Sequence, residues 1–285
     1  MRTILVPTDF SSYATDALEY AIELSNTILA NVHVIHVIEQ PAYENFDAFA
    51  DGYGGVGMND IFMLKLLEKS KADLLSLKEK YPDAQLETSL KMTTSITSEI
   101  IDHSIKINAD LIVMGSKGTN TIDEDIIGSN TEKIVRSAHC SVLTIKEKGK
   151  VSIENIVFAS DFKNVNKTVI EQIKFYQKTF NAKLHLLRVC TPHNFENSMI
   201  LEGRMHEVAV KYNLENYKIH TYNDFYEEDG IANFASHNDY DLICLATSGR
   251  TGMSHFFTGS IAEDVVNHSY KPVMTFNLKT INASK

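Results

Sequence analysis

A phosphate group is held well by several backbone N–H groups converging on it, and glycine and serine at a strand-to-helix turn supply them. Two stretches of this chain have that make-up. In "GSKGTNTIDEDIIGSNTEK", Gly115, Gly118, Gly128 and Ser129 follow the pattern G-x2-G-x9-G-S, with Asn130 next. In "ATSGRTGMSHFFTGSIAED" the spacing recurs with Ala246, Gly249, Gly259 and Ser260, and Arg250 and His255 add cationic character. Glycine permits φ > 0 and close backbone approach; alanine disfavours the first and crowds the second. The same residues also have a structural reading. Glycines three apart make a tight turn after a buried strand, and Ser129 with Glu132, like Ser260 with Glu263, fits an S-x-x-E capping box.

Charge near these glycines cuts both ways. Asp123, Glu124 and Asp125 lie inside the first stretch and would repel a triphosphate unless they point away or hold Mg2+, while Lys117 is the nearby cation. Asp9, just after the first apolar run, has a counterpart in Asp161. It suits a ligand or a polar cap, although Ser11 already serves as a cap. His36 reads as a core or crevice histidine, and His103, His139, His237 and His268 show no metal-ligand spacing. The chain has no G-x4-G-K-[ST], no G-x-S-x-G and no G-x-G-x-x-G after its first strand, so a Walker-type NTPase, a serine hydrolase and a dinucleotide dehydrogenase are all disfavoured. No side chain stands out as a base for positioning water.

These residues must be positioned by a repeated unit. "TILVPTDFS" matches "NIVFASDFK", "ANVHVIHV" matches "AKLHLLRV", "ADLIVMGSKG" matches "YDLICLATSG", and "GSNTEKIVRSAHCSVLTI" matches "GSIAEDVVNHSYKPVMTF", in one order. This is a tandem duplication. Asp9 and Asp161 differ by 152 positions but Gly128 and Gly259 by 131, so the first half carries about 21 more residues between its second and fourth strands. The surplus is assigned to a loop over Pro41 to Asp60, rich in Gly, Asp and aromatics. Each half alternates strand and helix, ending on a strand. "TILVP" and "DLIVMG" read as buried strands, and Ala14, Ala17, Leu18, Ala21, Ile22 and Ile28 as one helix face. Leu64, Leu67, Leu74 and Leu77 run along one side of a long helix from Asp60 to Tyr81. That alternation predicts parallel sheets covered on both faces, with ligands taken beyond the carboxyl ends of the strands where strand order reverses. The expected domains are residues 1–147, with the intact glycine pattern, and residues 152–280, with alanine in its first place, joined by the charged run "KEKGKVS".

The 285 residues are 44% apolar and 22% charged, which suits two globular domains. The net charge of −10 disfavours nucleic acid and anionic membranes as partners. No apolar run approaches the roughly 20 residues needed to cross a bilayer, and the N-terminus does not resemble a signal peptide. A cytoplasmic protein is the expectation. The three cysteines, Cys140, Cys190 and Cys244, are far apart in apolar runs and read as buried thiols.

"VPTDFS" at the first strand, "MGSKG" at the fourth, and the glycine spacing together resemble the universal stress protein family, twice and over nearly the whole chain. The resemblance implies two tandem doubly wound five-stranded parallel-sheet α/β domains of adenine nucleotide alpha hydrolase-like type, with strand order 3-2-1-4-5. That order sets the loops after strands one and four face to face. Some members of the family bind ATP there and others do not. In the binders, the aspartate after strand one contacts the adenosine end, the valine closing strand two and the residue before the first glycine line the base pocket, and the glycines and serine hold the phosphates. The implied set is Pro7, Thr8, Asp9, Val37, Met114, Gly115, Gly118, Gly128, Ser129 and Asn130 in the first half, and Asp161, Val189, Gly249, Arg250, Gly259 and Ser260 in the second. Ala159, Leu245, Ala246 and Ile261 fill the remaining places of the second set. The implied role is a stress-response regulator that binds ATP, alone or with Mg2+, with the first half favoured. A nucleotide-free interaction protein and a slow ATPase are the alternatives. No catalytic residue and no protein metal ligand is implied. In the family the last strands pair across a two-fold, so an intramolecular pseudo-dimer is expected, with a homodimer of chains as a further step.

Overall fold

Aliphatic runs bounded by turn residues form strands, and stretches of helical period between them form helices. The computed structural model describes residues 2–40, 58–117, 128–147, 149–238, 240–247 and 259–278. The first half runs β1 (Arg2–Pro7), α1 (Ser12–Ile28), β2 (Ala30–Glu39), α2 (Met58–Lys80), β3 (Glu87–Thr93), α3 (Ile96–Lys106), β4 (Leu111–Gly115), α4 (Ser129–Ser137) and β5 (Ser141–Ile145). The second runs β6 (Asn155–Ala159), α5 (Lys167–Phe180), β7 (Lys183–Cys190), α6 (Ser198–Lys211), β8 (Tyr217–Asn223), α7 (Glu227–Ser236), β9 (Leu242–Thr247), α8 (Gly259–His268) and β10 (Val273–Asn277).

The strands make one sheet in the order β3-β2-β1-β4-β5-β10-β9-β6-β7-β8. Within each half the order is 3-2-1-4-5 and every pairing is parallel. The doubly wound fold expected of the sequence is therefore present. β1 sits between β2 and β4, with Pro7 opposite Ile35 and Leu5 opposite Ile112. Chain direction around the sheet reverses there, which opens a crevice at the carboxyl ends of β1 and β4.

The halves meet at β5 and β10, which pair antiparallel with Leu143 opposite Met274. One continuous core then runs along the α1, α2, α5 and α6 face, from Ile4 and Leu24 through Leu143 and Met274 to Phe158 and Leu186. The other face carries a separate core in each half: Leu5, Ile35, Ile100 and Ile112 under α3 and α4, and Val157, Leu187, Ile231 and Ile243 under α7 and α8. All three cysteines are buried free thiols. Among the described residues no helix is long and apolar enough to cross a membrane.

Four local expectations need correction. Gly128, not Ser129, is the N-cap of α4; Ser129 is its first helical residue, and the Glu132 side chain pairs with Arg136 instead of closing a capping box. α8 is already helical at Gly259, so Ser260 lies past its start, and Glu263 also turns to Arg136. Leu64 is exposed, while Leu74 is buried, so the packed stripe of α2 begins later than its leucines suggest. The surplus of the first half is not all loop either. α2 has 23 residues and α6 has 14, so helix length takes up much of it, and Met58–Asp60 of the expected loop are helical.

Candidate functional site

The loop after β1 is wound by three side-chain acceptors in succession. Thr8 continues the sheet, its N–H donating to Ile35 O at 2.9 Å. Thr8 Oγ1 then accepts from Phe10 N–H (3.0 Å), Asp9 Oδ1 from Ser11 N–H (3.0 Å), and Ser11 Oγ from Ala14 N–H (3.2 Å), which caps α1. The winding puts Phe10 at φ 62°, a left-handed conformation that costs a non-glycine residue about 1–2 kcal/mol. The second half repeats the device. Ser160 Oγ accepts from Phe162 N–H at 3.1 Å and Asp161 Oδ1 from Lys163 N–H at 2.9 Å, and Phe162 has φ 57°. No sequence signal marks a phenylalanine for this conformation. In the first half, His36 adds a further tie: its Nδ1 lies 2.7 Å from Thr8 O and donates to it, and its ring packs on Phe10.

The facing loop is fixed at its base. Ser116 N–H donates to Ile145 O, Gly128 N–H to Ser116 O at 2.8 Å, and Thr131 Oγ1 to Gly115 O at 3.0 Å. α4 therefore starts directly over the end of β4. The N–H groups of its first turn have no acceptor within the helix and point out of its N-terminus. Gly115 is not in a left-handed conformation, and Gly128 has φ −64°. At Gly115 the reason for glycine is closeness: a Cβ there would lie 2.9 Å from the backbone of Tyr13.

Between the two loops lies a cavity of about 170 Å3. Pro7, Thr8, Asp9, Val37, Met114, Gly115, Gly128, Ser129 and Asn130 all line it, so every described residue of the first-half set is brought to one place. Gly118 and the acidic Asp123 to Asp125 lie outside the described residues. The wall also contains Ala14, Ile35, Ile96, Ile100, Lys117 and Thr131. Except for Lys117, these are residues the motifs passed over. Ile35 could have been found, because it shares a strand face with Val37. Ile96 and Ile100 are one turn apart on α3 and share a helix face. The Lys117 side chain is buried, which sets a cation in the wall of a chamber lined by both apolar and polar residues.

In the second half, Asp161 ends in the wound loop after β6 and Val189 lies buried near the end of β7. Gly259 and Ser260 begin α8. Gly249 and Arg250 lie outside the described residues. Ala246 stands in the place of Gly115, and α5 begins at Lys167, three positions later than α1 would place it.

The universal stress protein family profile matches residues 1–146 and again residues 152–277. A universal stress protein of the cyanobacterium Synechocystis is 24% identical over 97% of this chain and 100% of its own length. One from Methanocaldococcus jannaschii is 27% identical over 52% of this chain and 84% of its own. The crystal structure of a universal stress protein from Archaeoglobus fulgidus superposes with a TM-score of 0.72 at 19% identity, covering 96% of this chain and 98% of that one.

Proposed function

This chain belongs to the universal stress protein family, and from that premise we propose that it is a stress-response regulator that binds an adenine nucleotide, ATP foremost, in the crevice of its first half. The observation that carries the reading is the shared cavity: the strand-one loop and the strand-four loop, more than a hundred residues apart in sequence, converge on one chamber lined by both apolar and polar residues. Ile35, Val37, Ile96, Ile100 and Met114 would enclose the base, since an apolar slot gains from burying a flat ring. Asp9, at the rim, would meet the ribose hydroxyls. The N–H groups at the start of α4, with Ser129 and Lys117, would meet the phosphates. Mg2+ has no assigned protein ligand in this reading and would travel with the phosphates.

Isothermal titration of ATP, with and without Mg2+, tests the proposal, together with mass spectrometry of the denatured protein for a co-purified nucleotide. Absence of heat and of any thermal shift at millimolar ATP would sink it. One observation favours a second reading. The contact of Gly115 with Tyr13 explains that glycine without a ligand, as in a nucleotide-free interaction protein. On that reading Asp9→Ala changes stability and removes no ligand.

A further inference from the structure

α3 and α4 both begin at the first cavity, with Ile96 and Ile100 of the one and Ser129, Asn130 and Thr131 of the other in its wall. One side-chain hydrogen bond joins their first turns: Thr97 Oγ1 donates to Asn130 Oδ1 at 3.1 Å. An asparagine near a helix start commonly spends its oxygen on a nearby backbone N–H. Asn130 spends it on the neighbouring helix. An amide has one accepting end and one donating end. With Oδ1 held by Thr97, the donating Nδ2 is the end left over, and among the described residues no protein group accepts from it. Thr97 directly follows Ile96, so the amide stands on the side of the cavity where α3 supplies apolar wall.

The second half shows that packing two such helices does not require this bond. By the repeat, Thr97 corresponds to Glu228 and Asn130 to Ile261, both 131 positions on. α7 packs on α8 as α3 packs on α4, yet an isoleucine side chain can neither give nor take a hydrogen bond. The polar pair is confined to the half whose glycine pattern is intact.

We infer that Thr97 is a positioning residue: it fixes the Asn130 amide with its N–H groups toward the cavity, and the fixed amide reads the N1–C2–N3 edge of a purine, selecting adenine over guanine. The inference rests on the nucleotide reading above. On that edge adenine offers two bare ring nitrogens as acceptors. Guanine carries N1–H and an exocyclic amine there and keeps one acceptor. An amide that shows the cavity its donors pairs with the adenine edge and sets donor against donor on guanine, which leaves polar groups unpaired on both sides. A free asparagine would turn over and suit either base. The bond from Thr97 is what that turn would cost.

Equilibrium dialysis of the full chain with ATP, GTP and ITP reads the selection as a ratio of affinities. Wild type should bind ATP about tenfold or more above GTP, the kind of preference a mismatched polar edge gives. ITP, which has N1–H but lacks the amine, should fall between. Thr97→Val keeps the shape, loses the hydroxyl and should lower the ATP-to-GTP ratio by about threefold or more, the worth of one hydrogen bond. Thr97→Ser, which keeps the hydroxyl, should hold the wild-type ratio. A loss of helix packing alone would weaken all three nucleotides together and leave the ratio unmoved. Asn130→Asp, whose two oxygens both accept, should lower the ratio further. Equal binding of ATP and GTP by wild type, or an unchanged ratio in Thr97→Val, overturns the inference and leaves the nucleotide reading standing. No binding of any of the three by wild type overturns both. If circular dichroism shows Asn130→Asp unfolded, the two Thr97 variants decide the matter between them.

Discussion

The backbone of Tyr13, in the first turn of α1, lies 2.9 Å from where a Cβ on Gly115 would stand. The first glycine of the motif thus lets α1 sit against the end of β4, and α1 in turn carries the loop with Asp9 toward the crevice. Gly115→Ala should force the helix outward and lower the unfolding free energy by about 1–3 kcal/mol, the usual cost of overpacking. ATP binding should weaken in the same variant. Ala246→Gly, at the matching place of the second half, should shift stability by less than about 1 kcal/mol, the difference in backbone freedom alone. Urea unfolding of both variants gives the comparison.

Asp9→Asn separates the loop from the ligand. Asparagine keeps an oxygen that can accept from Ser11 N–H, the bond that holds the turn at 3.0 Å, but loses the charge offered to ribose hydroxyls. The variant should melt within about 2 °C of the wild type and bind ATP roughly tenfold more weakly, corresponding to about 1.4 kcal/mol for a charge-assisted hydrogen bond. Titration calorimetry and a thermal melt on one preparation check both halves of the statement.

Ile96→Glu gives the first residue of α3 the identity of the first residue of α7, Glu227, but without the Arg188 guanidinium that lies 3.1 Å from that carboxylate. The helix start accepts it, because a carboxylate in the first turn faces the positive end of the dipole. The cavity does not, because an unpaired carboxylate at the base end resists desolvation by a purine. ATP affinity should fall at least tenfold with far-ultraviolet circular dichroism unchanged; equal affinity would mean that the base lies elsewhere.

The alternation of strand and helix, the duplication and the order of strands were legible because period and repeat are written in the chain itself. Pro7, Thr8, Asp9, Gly115, Gly128 and Ser129 were legible as a set because their spacing survives as a motif. Ile96, Ile100 and Ala14 were not, since an apolar residue facing a cavity looks the same in sequence as one facing the core. The contact of Gly115 was not legible for a related reason: a glycine needed for close approach and one needed for positive φ carry the same letter, and only the position of Tyr13 tells them apart. Ser129 matched a capping box in sequence, yet the chain enters the helix one residue earlier, at Gly128, because its N–H is used to close the loop onto Ser116. The positive φ of Phe10 and Phe162 had no signal at all, since it follows from side-chain acceptors on their neighbours.

The halves are also tied by one arginine. Arg136 on α4 donates from Nε and Nη2 to the two oxygens of Glu263 on α8, at 2.8 and 2.6 Å, and its Nη2 reaches Glu132 as well. Its carbonyl accepts from Asn277 Nδ2 on β10. Burial pushes the Glu263 carboxyl up even against the pull of Arg136, so removing the arginine leaves a poorly solvated carboxylate at the seam. Arg136→Ala should cost about 1–3 kcal/mol, and Glu263→Gln less, because the amide oxygen still accepts. Urea unfolding followed by both far-ultraviolet signal and tyrosine fluorescence measures the loss.

Each half holds a pair of histidines in contact, and this shapes the acid limb of stability. His33 Nε2 lies 3.0 Å from His103 Nε2 and 2.8 Å from Ser89 Oγ, with Glu87 at its other nitrogen. His185 Nδ1 lies 2.9 Å from His220 Nε2, and its Nε2 is 3.2 Å from Asn155 Oδ1. Burial first, then the partner histidine, then Lys91 and Lys106 on one side and Lys183 and Lys218 on the other, together hold His103 and His185 down to about 4. His33 and His220 are also lowered by burial, Glu87 partly opposing it at His33. A histidine whose folded pKa lies below its unfolded 6.5 binds fewer protons folded than unfolded between those values, so stability falls as pH drops from 6.5 and levels off below about 4. Glu196, held down to about 2 by Arg204, adds a separate loss that begins only below 4.5. The unfolding free energy from urea titrations should therefore decline between pH 6.5 and 5, with Glu227, Glu263 and Asp264, whose carboxyls burial pushes up, acting in the opposite direction. His103→Phe with His220→Ser, each the residue that the other half carries at that register, should flatten this decline. A wild-type curve already flat over that interval would show that the histidine pairs are not held neutral by the fold.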